Sequence, residues 1–118
     1  QVILFFIFLF EGVTMLCLTI QIDLSKAQDF DCDDFLFYVR ALGRFPEVDK
    51  METKTVAFNF FTEDLPSLWQ ELQRDLYQSR EYGAILAAAS VVACESEDDP
   101  DAELLLFHFD GNETLDEL

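Results

Sequence analysis

The densest run of residues whose types and spacing could do chemistry lies in the second half of the chain. Glu95, Glu97, Asp98, Asp99, Asp101 and Glu103 fall together in the stretch ESEDDPDAE. All seven Lys and Arg lie between Lys26 and Arg80, and from Glu81 onward there are eleven acidic residues and no Lys or Arg. Such polarity sets up a one-sided negative field, which draws in a basic surface. An inhibitor or immunity-like protein that covers a basic active site needs this kind of patch. A solvated hairpin loop whose charges only discourage edge-to-edge aggregation has the same composition.

A second set is His108 with Cys17 and Cys94. If their strands adjoin, the imidazole and a thiol could form a nucleophile pair. A general base also needs a group that orients it, and none is visible near His108. A hydrogen-bonded core histidine and cysteines acting as small buried hydrophobes are the plainer readings. A third set, Asp23, Asp29, Asp31, Asp33 and Asp34, could offer oxygen ligands to Mg²⁺ or Ca²⁺. Counted from Asp31 as the start of a calcium loop, Leu36 stands where the glycine belongs and Leu42 where the glutamate belongs. Capping of a helix explains these acids better. The cysteines Cys17, Cys32 and Cys94 form no CxxC pair and His108 is the only histidine, so no zinc site is expected. No glycine-rich phosphate loop, nucleophile elbow or metalloprotease helix occurs. No metal and no cofactor are expected, and no residue is assigned a catalytic role. Asn112-Glu113-Thr114 matches a glycosylation sequon, which matters only in a secreted chain.

Global composition narrows the choice. Asp plus Glu number 24 against 7 Lys plus Arg, a formal net charge of −17. Phosphate contacts depend on Lys and Arg, so nucleic acid is not an expected partner. With 118 residues the chain makes one domain and can bury a core without disulfide or metal. Three widely spaced cysteines suit a reducing compartment, so the expected location is cytoplasmic.

The elements that must position these residues begin with QVILFFIFLF. Val2–Phe10 is apolar throughout, but it is half the length of a membrane span and is followed by Glu11-Gly12. It also lacks a basic flank and a cleavage site. In Met15–Leu24, Leu16, Leu18, Ile20, Ile22 and Leu24 alternate with polar or small residues, the period of a half-buried strand. Residues 2–10 are therefore expected as a strand paired antiparallel to 15–24 through a loop at 11–14. Met15 could equally be the natural start, with 1–14 an extension. A truncated secretion or anchoring signal is a further, weaker reading.

Asp29–Asp34 then caps a helix carrying Cys32, Phe35, Leu36, Val39 and Leu42 and ending at Gly43. Residues 43–53 read as a polar loop and Thr55–Phe61 as a strand. A second helix from about Glu63 to Arg80 has Pro66 in its first turn and a stripe of Leu65, Leu68, Trp69, Leu72, Leu76 and Tyr77. Residues 84–94 suit either helix or strand, and strand is preferred for Val91-Val92. Glu103–Asp110 is the last strand, and 111–118 form an acidic tail.

The expected fold is α+β, a two-layer sandwich whose mixed, mostly antiparallel sheet of roughly four to six strands carries two helices on one face. Its order ββαβαββ, or βαβαββ from Met15, loosely resembles ferredoxin-like sandwiches. The second sheet face is expected to be partly apolar through Phe6, Phe8, Phe107 and Phe109, and so to suit a homodimer contact or a cavity. The function this favours is a non-enzymatic interaction module that docks a basic protein through residues 95–103. The alternative is a small-ligand-binding protein or enzyme with a Phe-lined pocket near His108, Cys17 and Cys94.

Overall fold

The alternation in the sequence becomes the middle strand of a sheet. In the computed structural model, which describes residues 15–51 and 53–118, strand β1 is Leu16–Asp23. Its Leu16, Leu18, Ile20 and Ile22 are buried, while Cys17, Thr19, Gln21 and Asp23 are only half-buried. The expected strand at 2–10 lies outside the described residues. Both edges of β1 are already occupied, by residues 55–62 on one side and by residues 90–94 on the other.

Asp31 caps helix α1 (Cys32–Ala41), its carboxylate accepting the backbone N–H groups of Asp33 and Asp34 at 2.9 and 3.1 Å. Of the acids that might have bound a cation, Asp31, Asp33 and Asp34 thus form a helix start, and Asp23 instead ends β1 and accepts the Ser25 N–H and hydroxyl. Gly43, at φ +86°, closes the helix in the left-handed conformation that glycine adopts without strain. The stretch expected as a loop contains strand β2, Glu47–Met51. All five of its residues are exposed, so it is held by backbone pairing and carries no apolar periodicity to announce it. A turn with Lys54 at φ 59° leads into strand β3, Thr55–Thr62, whose Val56, Phe58 and Phe60 are buried.

Asp64 caps helix α2 (Leu65–Leu72), accepting the Ser67 N–H at 3.1 Å, and Pro66 sits in the first turn. The helix continues as a wider π turn, Gln73–Tyr77, and stops there rather than at Arg80. The stretch 84–94 is neither one strand nor one helix. Gly83–Ala89 forms helix α3 and Ser90–Glu95 forms strand β4. Ser90 marks the switch: fully buried, its hydroxyl donates to the Leu86 carbonyl at 2.6 Å and lies 2.7 Å from the Tyr77 hydroxyl. Gly83 is needed because a Cβ there would sit 2.6 Å from the Tyr77 carbonyl oxygen. Strand β5, Glu103–His108, forms a hairpin with β4.

The sheet order is β2-β3-β1-β4-β5, and every neighbouring pair among the described strands is antiparallel rather than mixed. Strands β1 to β4 with α1 and α2 have the connectivity of the split βαβ, ferredoxin-like arrangement, with β5 added at one side. Three helices, not two, cover one face. Phe35, Val39, Leu65, Leu68, Leu72, Leu76 and Leu86 meet Leu18, Ile20, Ile22, Val56, Phe58 and Val92 there. Phe35 is the hub, with ring centroids 4.9 Å from Phe58 and 5.0 Å from Tyr82.

No described helix covers the other face, and it is not the Phe-rich surface expected. Cross-strand rows on it read Ala57–Gln21–Val91–His108, Asn59–Thr19–Ala93–Leu105 and Phe61–Cys17, with Glu95–Glu103 on the hairpin beyond. Phe107 instead packs on the helix side, 5.0 Å from Tyr77, and Phe109 lies past the strand end under the Lys26 ammonium at 4.7 Å. Phe6 and Phe8 lie outside the described residues.

Candidate acidic docking cleft

The β4–β5 hairpin presents all six acids singled out by sequence. Glu95, Glu97, Asp98, Asp99, Asp101 and Glu103 are exposed. Glu95 and Glu103 are register partners, two like charges directly opposite each other. One relief is local: a Glu95 carboxylate oxygen accepts the Cys17 N–H at 2.6 Å. At the tip the loop folds on itself. Asp99 accepts the Asp101 N–H at 3.0 Å, and the Ser96 hydroxyl accepts the Asp99 N–H at 3.3 Å. Asp99 is therefore partly structural, whereas Glu97, Asp98 and Asp101 make no side-chain hydrogen bond among the described residues. The two ion pairs among those residues, Arg44–Glu71 and Arg74–Asp75, both lie elsewhere.

The fold adds residues that spacing could not reveal. The start of α2 brings Glu63 and Asp64 to the base of the hairpin, and the C-terminal tail brings Glu117. With Glu95, Glu97 and Asp98 they line an open cleft of about 430 Å³. Its apolar part comes from Leu65, Pro66, Leu104 and Leu118. The tail is held there through Asp116. Its N–H donates to the Leu105 carbonyl at 2.7 Å, and its carboxylate accepts the Leu105 N–H at 2.8 Å. Carboxylates above an apolar wall suit a Lys or Arg, whose aliphatic stem and charged head divide in the same way.

The second set is brought together only in part: Cys17 and Cys94 line one cavity, and His108 lies away from it. A shallow cavity of about 360 Å³ is lined by Cys17, Thr19, Gln21, Cys94 and Glu103, and His108 is not part of it. His108 shares a row with Gln21, four residues along β1 from Cys17. That separation is about 13 Å along the strand and about 10 Å across two strand spacings. Cys94 pairs with Leu18 and belongs to the core cluster, so it faces the helices. Strict alternation along Glu103–Asp110 would put His108 on the face of Leu104 and Leu106, and the structure reverses this. A bulge between Val92 and Ala93 leaves Leu106 as an extra residue of β5, so His108 falls on the open face while Leu104 and Leu106 pack with the core. Its Nδ1 accepts the Asp110 N–H at 2.9 Å.

The thiols are poor nucleophiles in this setting. Burial pushes Cys94 up to about 11, helped by the carboxylates of Glu103, Asp116 and Glu95. Burial also raises Cys17, with Glu95 and Glu47 adding to it against a lowering contact from Thr19. A thiol held protonated does not attack. All three cysteines are free. Among the described residues no group of three or more His, Cys, Asp or Glu is arranged to hold a metal ion. Nor is any helix there long and apolar enough to cross a membrane. Comparison of the chain with protein-family models, with curated proteins and with solved structures finds no match.

Proposed function

We propose that this protein is a non-enzymatic interaction module whose partner is a basic protein, in the manner of an inhibitor or immunity protein. The observation that carries the proposal is the cleft between hairpin, α2 and tail. Six carboxylates from three separate segments converge on it, none of them in an ion pair among the described residues, beside an apolar wall. Association with such a surface is steered by charge and falls with salt. Free thiols are in keeping with a reducing, cytoplasmic setting. A ligand pocket around His108, Cys17 and Cys94 has less support, because His108 lies apart from the cavity that Cys17 and Cys94 line and burial raises both thiols.

The experiment is capture from cell extract at low salt with three baits. One is the unaltered chain. The second carries Glu97→Lys, Asp98→Lys and Asp101→Lys. The third carries an equal reversal at exposed positions away from the cleft, Asp29→Lys, Glu81→Lys and Glu113→Lys. A partner retained by the first and third baits and lost by the second supports docking at the hairpin. Identical capture by all three refutes it.

A further inference from the structure

The described strands leave two outer edges, and the chain treats them differently. The outer edge of β5 is closed at Leu105 by the pair of hydrogen bonds to Asp116. The outer edge of β2 has no strand beyond it among the described residues, and every residue of β2 is exposed. A free edge displays a row of unpaired N–H and C=O groups that accept an added strand.

The side chains along that edge are patterned. Glu47, Asp49 and Met51 pair with Asn59, Ala57 and Thr55, which puts them on the open face. The Gln21 amide reaches the Met51 sulfur at 3.4 Å on that face. Two residues before Glu47, Phe45 shares with Phe61 the wall of a cavity of about 190 Å³. At alternate positions, the segment leading into the edge and the edge itself read Phe45, then Glu47, Asp49 and Met51: apolar, acid, acid, apolar. Charge alone would blunt an edge against aggregation. It does not explain why Phe45 is 73%, Phe61 49% and Met51 42% exposed around the same acids.

We infer that the β2 edge is a strand-addition site for an extended segment of a basic protein. The segment alternates, with apolar side chains at its ends and two cations, two residues apart, between them. Its backbone completes the ladder, its Lys or Arg side chains stand opposite Glu47 and Asp49, and its ends cover Phe45 and Met51. A second copy of this chain fits poorly. Twofold antiparallel pairing of β2 keeps faces matched, so its central registers set Asp49 against Glu47, Asp49 against Asp49, or Lys50 against Lys50. This surface is distinct from the hairpin cleft, on the opposite side of the sheet.

The test uses the full chain and a labelled peptide, Phe-Thr-Lys-Thr-Lys-Thr-Leu, at low salt. The expected result is saturable binding by fluorescence anisotropy, with slowed amide hydrogen exchange confined to Glu47–Met51. Glu47→Lys with Asp49→Lys weakens it roughly tenfold or more, without lowering the unfolding midpoint. A peptide N-methylated on alternate amides, which cannot complete the ladder, binds weakly. Equal binding by the methylated peptide, or by one with its two lysines adjacent, overturns the inference. So does the absence of saturable binding at millimolar peptide. Concentration-dependent dimerisation that protects Glu47–Met51 also overturns it, by giving the edge to a second copy.

Discussion

Substituting Glu103 by Lys should make the folded chain more stable, because it replaces a like-charge pair in the hairpin with an opposite-charge one. Glu95 and Glu103 are directly opposite in the β4–β5 ladder, and both are exposed. Side chains so placed start about 5 Å apart at Cβ, and two carboxylates that lean away end up about 6 Å apart. In water that separation costs about 0.7 kcal/mol, and an ammonium in place of one carboxylate returns about the same amount. The swing is about 1.4 kcal/mol at low ionic strength, and screening at physiological salt roughly halves it. For a domain of this size the melting temperature should rise about 5 °C at low salt and about 3 °C at physiological salt. Glu95 keeps its bond to the Cys17 N–H, so the backbone frame is undisturbed. Thermal unfolding followed by circular dichroism at two salt concentrations reads both numbers, with Glu103→Gln expected midway. The reasoning is refuted if Glu103→Lys is no more stable than the parent at low salt. It is refuted equally if the gain does not shrink as salt rises.

Ser90→Ala should cost about 1–3 kcal/mol in urea unfolding, because the buried Tyr77 hydroxyl loses its partner. Tyr77→Phe should cost about 1 kcal/mol, and the double variant less than the sum; strict additivity would mean the two hydroxyls are not coupled. Lys54→Gly should stabilise by about 0.5–1 kcal/mol, the left-handed strain relieved at φ 59° less the added entropy of glycine in the unfolded chain. A lower urea midpoint would refute it. Burial raises both the Cys94 thiol, to about 11 from 9.0, and the Tyr77 phenol. The folded chain therefore retains protons that the unfolded chain releases. Stability is intact below about pH 9 and falls as pH climbs toward 11. Cys94→Ala should flatten the early part of that fall, and an unchanged slope counts against the assignment.

What the sequence disclosed followed from burial. β1, β3, α1 and α2 each bury one face, so their periods of two or 3.6 are written in apolar residues such as Leu18–Ile20–Ile22 and Leu65–Leu68–Leu72. β2 buries nothing, and EVDKM looks like loop because its pairing is entirely backbone. In GAILAAASVVACE the change from helix to strand depends on one hydroxyl, that of Ser90. Neither alanine propensity nor valine content marks such a point. The bulge around Leu106 moved His108 to the opposite face, since one inserted residue inverts every side chain beyond it. The acidic hairpin was legible as a run of charge. Glu63, Asp64 and Glu117 joined it through tertiary folding alone, although the run from Glu113 to Glu117 was a visible hint of a tail with charge to place.

That convergence bears on why the hairpin is acidic. Charge that serves only solubility acts through net charge, so it works anywhere on the surface and needs no particular neighbours. It gains nothing from a like-charged register pair such as Glu95–Glu103, which weakens the ladder it sits on. Nor does it gain from Leu104, Leu118 and Pro66 lying beside the carboxylates, since exposed apolar area works against solubility. Docking requires both: a concentrated field to attract a cation, and an apolar wall against which its aliphatic stem loses water. Under the proposed docking, that local stability cost and the apolar wall would serve one purpose. The Glu103→Lys variant tests that cost, since it removes the like-charge register pair while leaving the six carboxylates that line the cleft in place.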